Sequence, residues 1–525
     1  MERKWWTLIA VSVAIFMLLL DITVVNVALP DIQRSLHSSF SDLQWVVNAY
    51  SLTLAAFLLT AGSVSDLIGR KRVFVAGLVV FTAASAVCGL SSSPLMLNLA
   101  RAVQGTGGAM MFATSLALLA QAFHGKERGT AFGVFGAVTG AAVAVGPVLG
   151  GVITSGIGWK WIFFVNVPIG AVAVFITLTQ VADSRDPNAT GVDWAGLVTF
   201  SGSLFMLVFA LVQGNEQGWG STEILALLIG AAVLLVAFVL FEHLQSRPML
   251  DLALFRRPAF AGASIVAFAI SASFFAMFLY LTLYIQDVLG YSPLQAGLRF
   301  LPVTLLSFAV APVAGKLSVR VPVRLLLGTG LLLAGAGLLA MTVVSASSGW
   351  TTLIPGFLLG GAGIGMINPP LASTAIGVVP HERSGMASGI NSTFRQVGIA
   401  TGIAGLGAIF QHSVTKSTHT TLAASGHARE IVSAAHGQLA TILESGEVTH
   451  FARTLSPAAH IALVHSYKVG FTGAFTTIAI IAALVALVGG VLAFVLVRSR
   501  DFVASGNAPA APDVHETEPA GALAG

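Results

Sequence analysis

Fourteen long apolar stretches dominate the sequence and leave few folds open to it. Hydrophobic residues make up 56% of the 525 positions and charged residues only 9%, whereas an ordinary soluble domain carries about 25% charged residues. About 20 apolar residues are needed for a helix to cross a bilayer. The sequence therefore predicts an all-α integral membrane protein, with spans near 7–30, 43–65, 73–92, 95–118, 129–154, 161–182, 193–213, 221–241, 260–287, 295–315, 323–345, 351–376, 384–410 and 466–497.

An even number of spans places both termini on one side of the membrane, and the positive charges indicate which side. Lys and Arg accumulate in cytoplasmic loops. On this map most of the 26 Lys and Arg residues fall on the side of the termini. We therefore expect a multi-pass protein of the lipid bilayer with cytoplasmic N- and C-termini. The same bias explains the pI near 9.4, so no nucleic-acid partner is expected.

Two loops resemble each other and indicate an internal duplication. The segment from Gly62 to Arg72 follows span two, and the segment from Gly315 to Arg324 follows span ten, with Gly aligned on Gly and Ser on Ser. Transporter halves of common ancestry show such weak repeats. We predict an N-terminal six-helix bundle at 1–183, an inserted two-helix segment at 184–259, a C-terminal six-helix bundle at 260–500 with an external loop at 411–465, and a disordered cytoplasmic tail at 501–525.

Asp21 is the only carboxylate that this map places in the middle of a span. An acid there costs roughly 2.5–3.5 kcal/mol on insertion scales, so it is by default a functional hypothesis. Arg101 in span four lies at a comparable depth, counted from Pro30 and Pro94. Two interpretations stay open. The two residues form a purely structural ion pair, or Asp21 exchanges a proton or cation as its surroundings alternate.

Span five carries a cluster of small residues, Gly146, Pro147, Gly150 and Gly151. Glycines allow close approach between helices, and proline weakens a helix locally. The cluster is explained either by simple packing or by a span that bends against its neighbour.

Polar and aromatic side chains in three spans are candidates for a substrate cavity. Gln104 shares a helix face with Arg101. Asn391 and Arg395 share a stripe of span thirteen, and no acid in this half neutralises Arg395, which leaves substrate contact and pairing with backbone carbonyls at a gate equally open. Phe278 and Tyr284 in span nine could hold a flat lipophilic cation by cation–π attraction, although such residues more often pack or face lipid.

Motifs for chemical catalysis are missing from the sequence. It contains neither an ATP-binding loop nor the HExxH metalloprotease motif. Cys88 is the only cysteine, so neither an intrachain disulfide nor a cysteine-cluster metal site can form. We expect no enzyme activity, no cofactor and no metal. The energy source must then be an ion gradient or the substrate gradient itself.

Several motifs in order resemble the major facilitator superfamily, in particular its fourteen-helix drug:proton antiporter branch of the EmrB/QacA type. The resemblance covers residues from about 5 to 500. The segments that carry it are Leu20–Pro30, Gly62–Arg72, Arg101–Gly108, Gly146–Gly151, Trp159–Gly170, Gln286–Gly297 and Gly385–Gln396.

The resemblance implies two six-helix bundles that rock around a central cavity, with the extra helix pair peripheral. Asp21 and Arg101 would take part in proton coupling, and the Gly146–Gly151 cluster would be the antiporter motif. Leu67 and Val319 depart from the family pattern in the two copies of the latch loop. The first copy would form a cytoplasmic latch between the halves through Gly62, Asp66, Gly69, Arg70 and Arg72.

The function implied by the resemblance is proton-coupled efflux of lipophilic or cationic small molecules across a bacterial cell membrane, with the proton gradient as energy source. Substrate and protons would be its partners. An exporter or importer of an endogenous metabolite or lipid stays open as an alternative. A non-transporting receptor or scaffold is the less favoured third alternative. The sequence does not show whether an accessory envelope protein takes part.

Overall fold

The computed structural model describes residues 2–123, 125–185, 191–245, 248–318, 320–379, 384–436, 439–444, 448–498 and 501–502. Within these ranges it has fourteen helices that are long and apolar enough to cross a membrane, which confirms the predicted number. They are α1 (Arg3–Leu36), α2 (Phe40–Ile68), α3 (Arg70–Leu90), α4 (Pro94–Ala122), α5 (Gly125–Ile157), α6 (Trp161–Gln180), α7 (Trp194–Gln217), α8 (Thr222–Leu244), α9 (Pro258–Val288), α10 (Pro293–Leu317), α11 (Val323–Val343), α12 (Trp350–Ala375), α13 (Ser384–Ala424) and α14 (Pro457–Leu496).

The helices form two bundles with the same internal contacts. In the first bundle α2 and α3 both pack on α4, α1 packs on α5, and α3 packs on α6. In the second bundle α10 and α11 both pack on α12, α9 packs on α13, and α11 packs on α14. The pattern repeats with an offset of eight helices because α7 and α8 are inserted between the bundles. The domain limits 1–183, 184–259 and 260–500 stay predictions.

Short connections hold consecutive helices of the first bundle antiparallel. Between α1 and α2, His37 adopts the left-handed conformation with φ 51°. Ser39 then caps α2, because its hydroxyl accepts a hydrogen bond from the Asp42 amide and the Asp42 carboxylate accepts one from the Ser39 amide. Such a capping box satisfies amide groups that a helix start leaves unpaired. We call the end of the molecule where α1 begins the terminal face, and the end where α1 finishes at Leu36 the loop face.

The two bundles meet along α2 and α13 on one side and through α5 and α10 on the other. The α5–α10 contact is tightest at the loop face, where the Leu294 amide donates to the Ser155 hydroxyl at 3.0 Å. Towards the terminal face it loosens. A Cβ atom at Gly140 would lie 3.5 Å from Phe308, and one at Gly133 would have no atom within 4 Å. The halves are therefore closed against each other at the loop face and diverge between α5 and α10 at the terminal face.

The inserted helices α7 and α8 lie beside the α2–α13 contact. Leu52 of α2, Val208 of α7 and Ala404 of α13 belong to one buried apolar cluster. The Asn215 amide at the end of α7 donates to the Ala408 carbonyl of α13 at 2.6 Å. Helix α8 is the outer member of the pair, and large apolar side chains cover its exposed surface, as in a helix that faces lipid.

The predicted external loop is shorter than expected. Helix α13 continues beyond position 410 to Ala424, and α14 begins at Pro457 rather than near 466. These extensions are stable because they pack on each other, with Leu422 and Leu463 buried. Three short helices, Ala428–Ala434, Leu439–Glu444 and Val448–Ala452, occupy most of the remaining segment. Of the predicted tail at 501–525, residues 503–525 lie outside the described residues.

The repeated loops have the same local geometry. The Ser65 hydroxyl donates to the Gly62 carbonyl at 2.7 Å, and the Ser318 hydroxyl donates to the Gly315 carbonyl at 2.7 Å. This match supports the duplication inferred from the sequence. Val319, where the second copy departs from the family pattern, lies outside the described residues.

Candidate transport site

Asp21 lies within α1 and is only 2% exposed. Its carboxylate forms an ion pair with Arg101 of α4, in which Arg101 Nη1 donates to Asp21 Oδ2 at 2.5 Å. The comparable depths estimated from the sequence therefore led to the right partner. A buried ion pair is stable only where its remaining hydrogen-bonding groups are also satisfied.

Arg101 has further partners besides Asp21. Its Nε donates to the Val46 carbonyl of α2 at 3.0 Å, and its Nη1 also donates to Gln104 Oε1 at 2.8 Å. The centre of the guanidinium lies 4.2 Å from the centroid of the Tyr50 ring, a distance at which cation–π attraction contributes. These contacts fix the arginine while its one charge is neutralised by Asp21.

Asp21 Oδ1 accepts from two amide side chains on other helices. Gln104 Nε2 of α4 donates at 2.9 Å, and Asn166 Nδ2 of α6 donates at 3.3 Å. Asn166 also donates to the Ser85 hydroxyl of α3 at 3.1 Å. We call Asp21, Ser85, Arg101, Gln104 and Asn166 the Asp21 cluster. It joins α1, α3, α4 and α6, so a change of charge at Asp21 would alter the hydrogen bonds that connect four helices of the first bundle.

The predicted antiporter motif on α5 packs directly beside this cluster. A Cβ atom at Gly146 would overlap Thr23, and one at Gly150 would lie 2.9 Å from the Val24 carbonyl. Both residues of α1 lie within three positions of Asp21. On its other side α5 meets the second bundle, where a Cβ at Gly151 would lie 2.6 Å from the Pro293 carbonyl. The motif therefore links the helix that carries Asp21 to the contact between the halves.

Pro147 completes this link, because its carbonyl lies against Gly297 of α10, where no larger side chain would fit. The sequence left open whether the glycines serve packing or bending. The geometry shows close packing on two helices at once.

The residues of the predicted latch lie together at the terminal face. Arg70 forms an ion pair with Asp66 one helical turn earlier, at 2.9 Å. Arg72 pairs with Asp183 at 3.3 Å, and Gly69 has φ 119°, a conformation that favours glycine. The Gly62 carbonyl accepts from Ser65, as described above. These contacts tie the loop to the segment after α6, and its role as a latch between the halves stays a prediction.

Arg395 lies in α13 of the second bundle and is partly exposed. Its Nη2 donates to Asn368 Oδ1 of α12 at 2.9 Å, and its guanidinium lies 5.9 Å from the Phe275 ring. No carboxylate pairs with it among the residues that the structure describes. The partner is thus a side-chain amide, which the sequence did not suggest, and the arginine keeps its full charge.

Three residues assigned to a substrate cavity are buried instead. Gln104 is fully buried as part of the Asp21 cluster, and Asn391 donates to the Ala263 carbonyl of α9 at 3.3 Å. Tyr284 is also fully buried and stacks on Phe475 with ring centroids 5.7 Å apart. Phe278 is partly exposed and packs against Phe300 at 5.3 Å. Of the five candidates, only Phe278 and Arg395 keep exposed surface.

The family model of the Major Facilitator Superfamily matches residues 11–403, well over half of the chain. The chain belongs to this superfamily. Among its relatives, the Multidrug resistance protein Stp of Mycobacterium tuberculosis (strain ATCC 25618 / H37Rv) is 39% identical over 404 residues, which cover 77% of this chain and 75% of that protein.

Two Streptomyces proteins are similarly related to this superfamily member. The Tetracenomycin C resistance and export protein of Streptomyces glaucescens is 33% identical over 492 residues, which cover 92% of this chain and 91% of that one. The Puromycin resistance protein pur8 of Streptomyces alboniger is 37% identical over 408 residues, which cover 77% and 81%.

A solved structure shares the superfamily fold. It is a bacterial homologue of the human lysosomal transporter Spinster in an inward-facing, unoccupied conformation. The superposition gives a TM-score of 0.60 and covers 96% of this chain and 99% of that one, at 16% identity. The predicted fold, two six-helix bundles with two additional spans, is confirmed.

Two members of the Asp21 cluster were missed by the sequence reasoning. Asn166 stands in a motif that carries the family resemblance, but it received no role. Its signal was a lone amide in an apolar helix, which in a membrane must find a partner. Ser85 gave no such signal, because a hydroxyl can satisfy itself on its own helix backbone.

Proposed function

We propose that this protein is a proton-coupled efflux transporter that exports lipophilic or cationic small molecules by alternating access. The observation that carries the proposal is the sealed Asp21–Arg101 ion pair, placed next to the α5 motif that bridges the two halves. The names of the relatives, which describe multidrug resistance, antibiotic resistance and export, support efflux as the direction.

The coupling step follows from the partners of Asp21. In this conformation three N–H groups donate to its carboxylate, and an ionised carboxylate only accepts hydrogen bonds. When the halves move, α5 displaces Thr23 and Val24 on α1, and the carboxylate separates from Arg101. An isolated carboxylate in a low-dielectric interior takes up a proton, because burial disfavours the charged form. Return to the closed state releases that proton when Arg101 binds again.

Substitution of Asp21 by Asn tests this proposal. In proteoliposomes with an imposed pH gradient, wild-type protein should accumulate ethidium, a monovalent lipophilic cation, and ethidium should induce proton movement. Asp21→Asn keeps the size of the side chain but removes the charge and cannot exchange a proton. We expect proton movement to fall to that of empty vesicles, while ethidium still equilibrates down its own gradient.

Asp31→Asn is the matched control, because Asp31 lies on the same helix in a surface pair with Arg34. It should transport like wild type. Normal ethidium-induced proton movement in Asp21→Asn would refute the proposal. A thermal unfolding curve for each variant separates loss of coupling from loss of fold.

We also propose that the terminal face is cytoplasmic. The excess of Lys and Arg on that face supports this orientation. In intact cells a membrane-impermeant thiol reagent should modify His412→Cys at the loop face and leave Ala253→Cys at the terminal face unmodified. Both positions are exposed, and Cys88 is buried. The reverse pattern would overturn the orientation.

A further inference from the structure

Two acidic side chains meet at the terminal face, where the inserted helix pair begins and ends. Asp193 caps the start of α7, because its Oδ1 accepts a hydrogen bond from the Gly196 amide at 2.7 Å. Glu242 lies near the end of α8 and is only 3% exposed. The two carboxyl groups are in hydrogen-bonding contact. They can approach because residue 196 is glycine: a Cβ atom there would lie 2.5 Å from Asp193 Oδ2 and 2.8 Å from Glu242 Oε1. We call them the Asp193–Glu242 pair.

The other oxygen atoms of the pair accept hydrogen bonds from the chain that leads to the second bundle. Asp193 Oδ1 also accepts from Gln245 Nε2 at 2.8 Å, and Asp193 Oδ2 accepts from the Met249 amide at 3.3 Å. Glu242 Oε2 accepts from the Leu250 amide at 3.1 Å. Among the described residues nothing donates to the buried Glu242 Oε1. A buried oxygen without a donor costs about 1–3 kcal/mol, so this atom indicates a ligand that supplies a donor.

The charges around Glu242 indicate that this ligand is a proton. Within the described part of the chain, the charged groups that act on Glu242 are Asp193 and Asp251, and both are acidic. Two carboxyl groups in contact in a buried site do not both ionise, because burial and the like charge each disfavour the second charge. One proton turns either group into a donor to the other and satisfies Oε1. A metal ion fits less well, because N–H groups already point at the other oxygens, and no third His, Cys, Asp or Glu of the described ranges completes a set of metal ligands.

The chain that the pair binds rests on both halves of the protein. We call residues 249–254 the connecting segment. Met249 belongs to one buried apolar cluster with Leu59 of α2 and Ile390 of α13. The Thr60 hydroxyl of α2 also donates to Met249 Sδ at 3.4 Å. Because α2 and α13 come from different bundles, the connecting segment covers the contact between the halves, and the pair fixes the first residues of this segment through their amides.

We propose that the Asp193–Glu242 pair binds one proton, which both carboxyl groups share, and that this proton keeps the connecting segment docked on the two halves. When the pH rises, the proton leaves to water beside the partly exposed Asp193. The two carboxylates then repel each other and the segment detaches, so docking is complete in acid and is lost as the pH increases. The pair shares no residue with the Asp21 cluster. The inference is independent of the proposed function, and only the side of the membrane whose pH is sensed rests on the proposed orientation.

Infrared spectroscopy of the purified protein tests for the proton directly, because a protonated carboxyl group has a C=O stretching band that an ionised one lacks. At about pH 6.5 exposed Asp and Glu side chains, with pKa values near 4, are ionised. Glu242→Gln should reduce the remaining band by one carboxyl group. Glu223→Gln, an exposed position on the same helix, should leave it unchanged. Arg247 follows Glu242 in the chain and lies outside the described residues. If its charge neutralised the pair, both carboxyl groups would be ionised and Glu242→Gln would change nothing, which would overturn the proposal.

Thiol reactivity measures the docking of the connecting segment. Met249 is buried in the docked state, so Met249→Cys should react with a maleimide only when the segment detaches. Ala253 is exposed, and the rate for Ala253→Cys corrects for the effect of pH on the thiol itself. Because detachment is linked to the loss of one proton, the ratio of the two rates should increase at least about fivefold between about pH 6 and pH 9. A ratio that does not change with pH would contradict the proposal.

Two single variants distinguish a shared proton from a merely structural role. Glu242→Gln and Asp193→Asn each replace the proton by a permanent amide donor, so either change should keep the ratio of rates low and constant with pH to within about twofold. Glu223→Gln should retain the wild-type response. A response that persists in both variants, or a high ratio at every pH in both, would show that the pair does not act through a proton. Asp21→Asn should respond as wild type does, so the outcome here is separable from that of the coupling test.

Discussion

Arg101 and Arg395 are the two arginines that lie deep within the spans, one in each half, and their surroundings differ in charge. Arg101 is 1% exposed and is neutralised by Asp21. Arg395 is partly exposed and donates to Asn368, which carries no charge. The duplicated halves therefore share a helix arrangement but not a chemistry. In the first half the Asp21–Arg101 ion pair has no net charge and can separate. In the second half the positive charge of Arg395 must be solvated by water or balanced by a ligand.

The largest expected effect is that of Arg101→Gln, because it leaves the Asp21 carboxylate buried without its counter-charge. Removal of one partner of a buried ion pair destabilises proteins by about 3–5 kcal/mol. Thermal unfolding of the purified protein measures this loss. Arg395→Gln should lose less than about 1 kcal/mol, since no buried charge is left behind. Equal losses would mean that the two arginines have equivalent structural roles.

A double variant separates stability from coupling at the same pair. Asp21→Asn combined with Arg101→Gln removes both charges, so most of the stability lost in Arg101→Gln should return. Coupled transport should stay absent, because no group is left to exchange the proton. Restored coupling would show that proton exchange takes place elsewhere.

The next largest effect is expected at the α5–α10 contact, which connects the first half to the second. Gly151→Ala places a Cβ atom 2.6 Å from the Pro293 carbonyl and 2.7 Å from Leu294 Cα, so α5 and α10 must separate at the loop face. Overpacking of this kind costs about 1–3 kcal/mol. We expect faster thiol modification of Ser155→Cys and slower transport. Gly133→Ala, which has open space around its Cβ position, should leave both unchanged.

If Gly151→Ala leaves the reactivity of Ser155→Cys unchanged, the α5–α10 contact does not control access at the loop face. The asymmetry between the halves would then be a matter of local chemistry, without a mechanical link between Asp21 and the second bundle.

A smaller effect is expected for Asn166→Ala, which removes one of the three donors to Asp21. The hydrogen bond is 3.3 Å long, and its loss should reduce stability by about 1 kcal/mol in thermal unfolding. Asn26→Ala is the control, since within the described part of the chain Asn26 donates only to the Ile22 carbonyl on its own helix, at 3.1 Å. A loss of stability as large as that of Arg101→Gln would show that Asn166 stabilises the buried Asp21 carboxylate as much as Arg101 does.

The contrast between the halves also shows what the sequence could predict. Helix number and the Asp21–Arg101 pair followed from apolar run length and from depth in the spans, because the bilayer imposes both. The partner of Arg395 did not follow, since Asn368 lies on a different helix and only packing decides which residues meet. The burial of Tyr284 was also unpredictable, because aromatic residues of a span can face lipid, a cavity or another helix.

Two further features of the second half could not be predicted from the sequence and are seen only in the structure. The π-helical turn at Tyr284–Val288 has no clear sequence signature, yet it determines where Asp287 points. The extension of α13 to Ala424 was hidden because its residues are polar by composition, and helix packing rather than lipid stabilises it.

The smallest effect, on substrate affinity, tests the second half directly. Arg395 carries an uncompensated positive charge in a partly exposed position, and such a charge repels a cationic substrate that binds nearby. Arg395→Gln should therefore lower the KM for ethidium about two- to fivefold, with ethidium-induced proton movement preserved. Arg395→Lys keeps the charge and should show wild-type KM. If Arg395→Gln instead loses proton movement at unchanged KM, the arginine of the second half belongs to the coupling machinery as Arg101 does, and the division of labour between the halves is wrong.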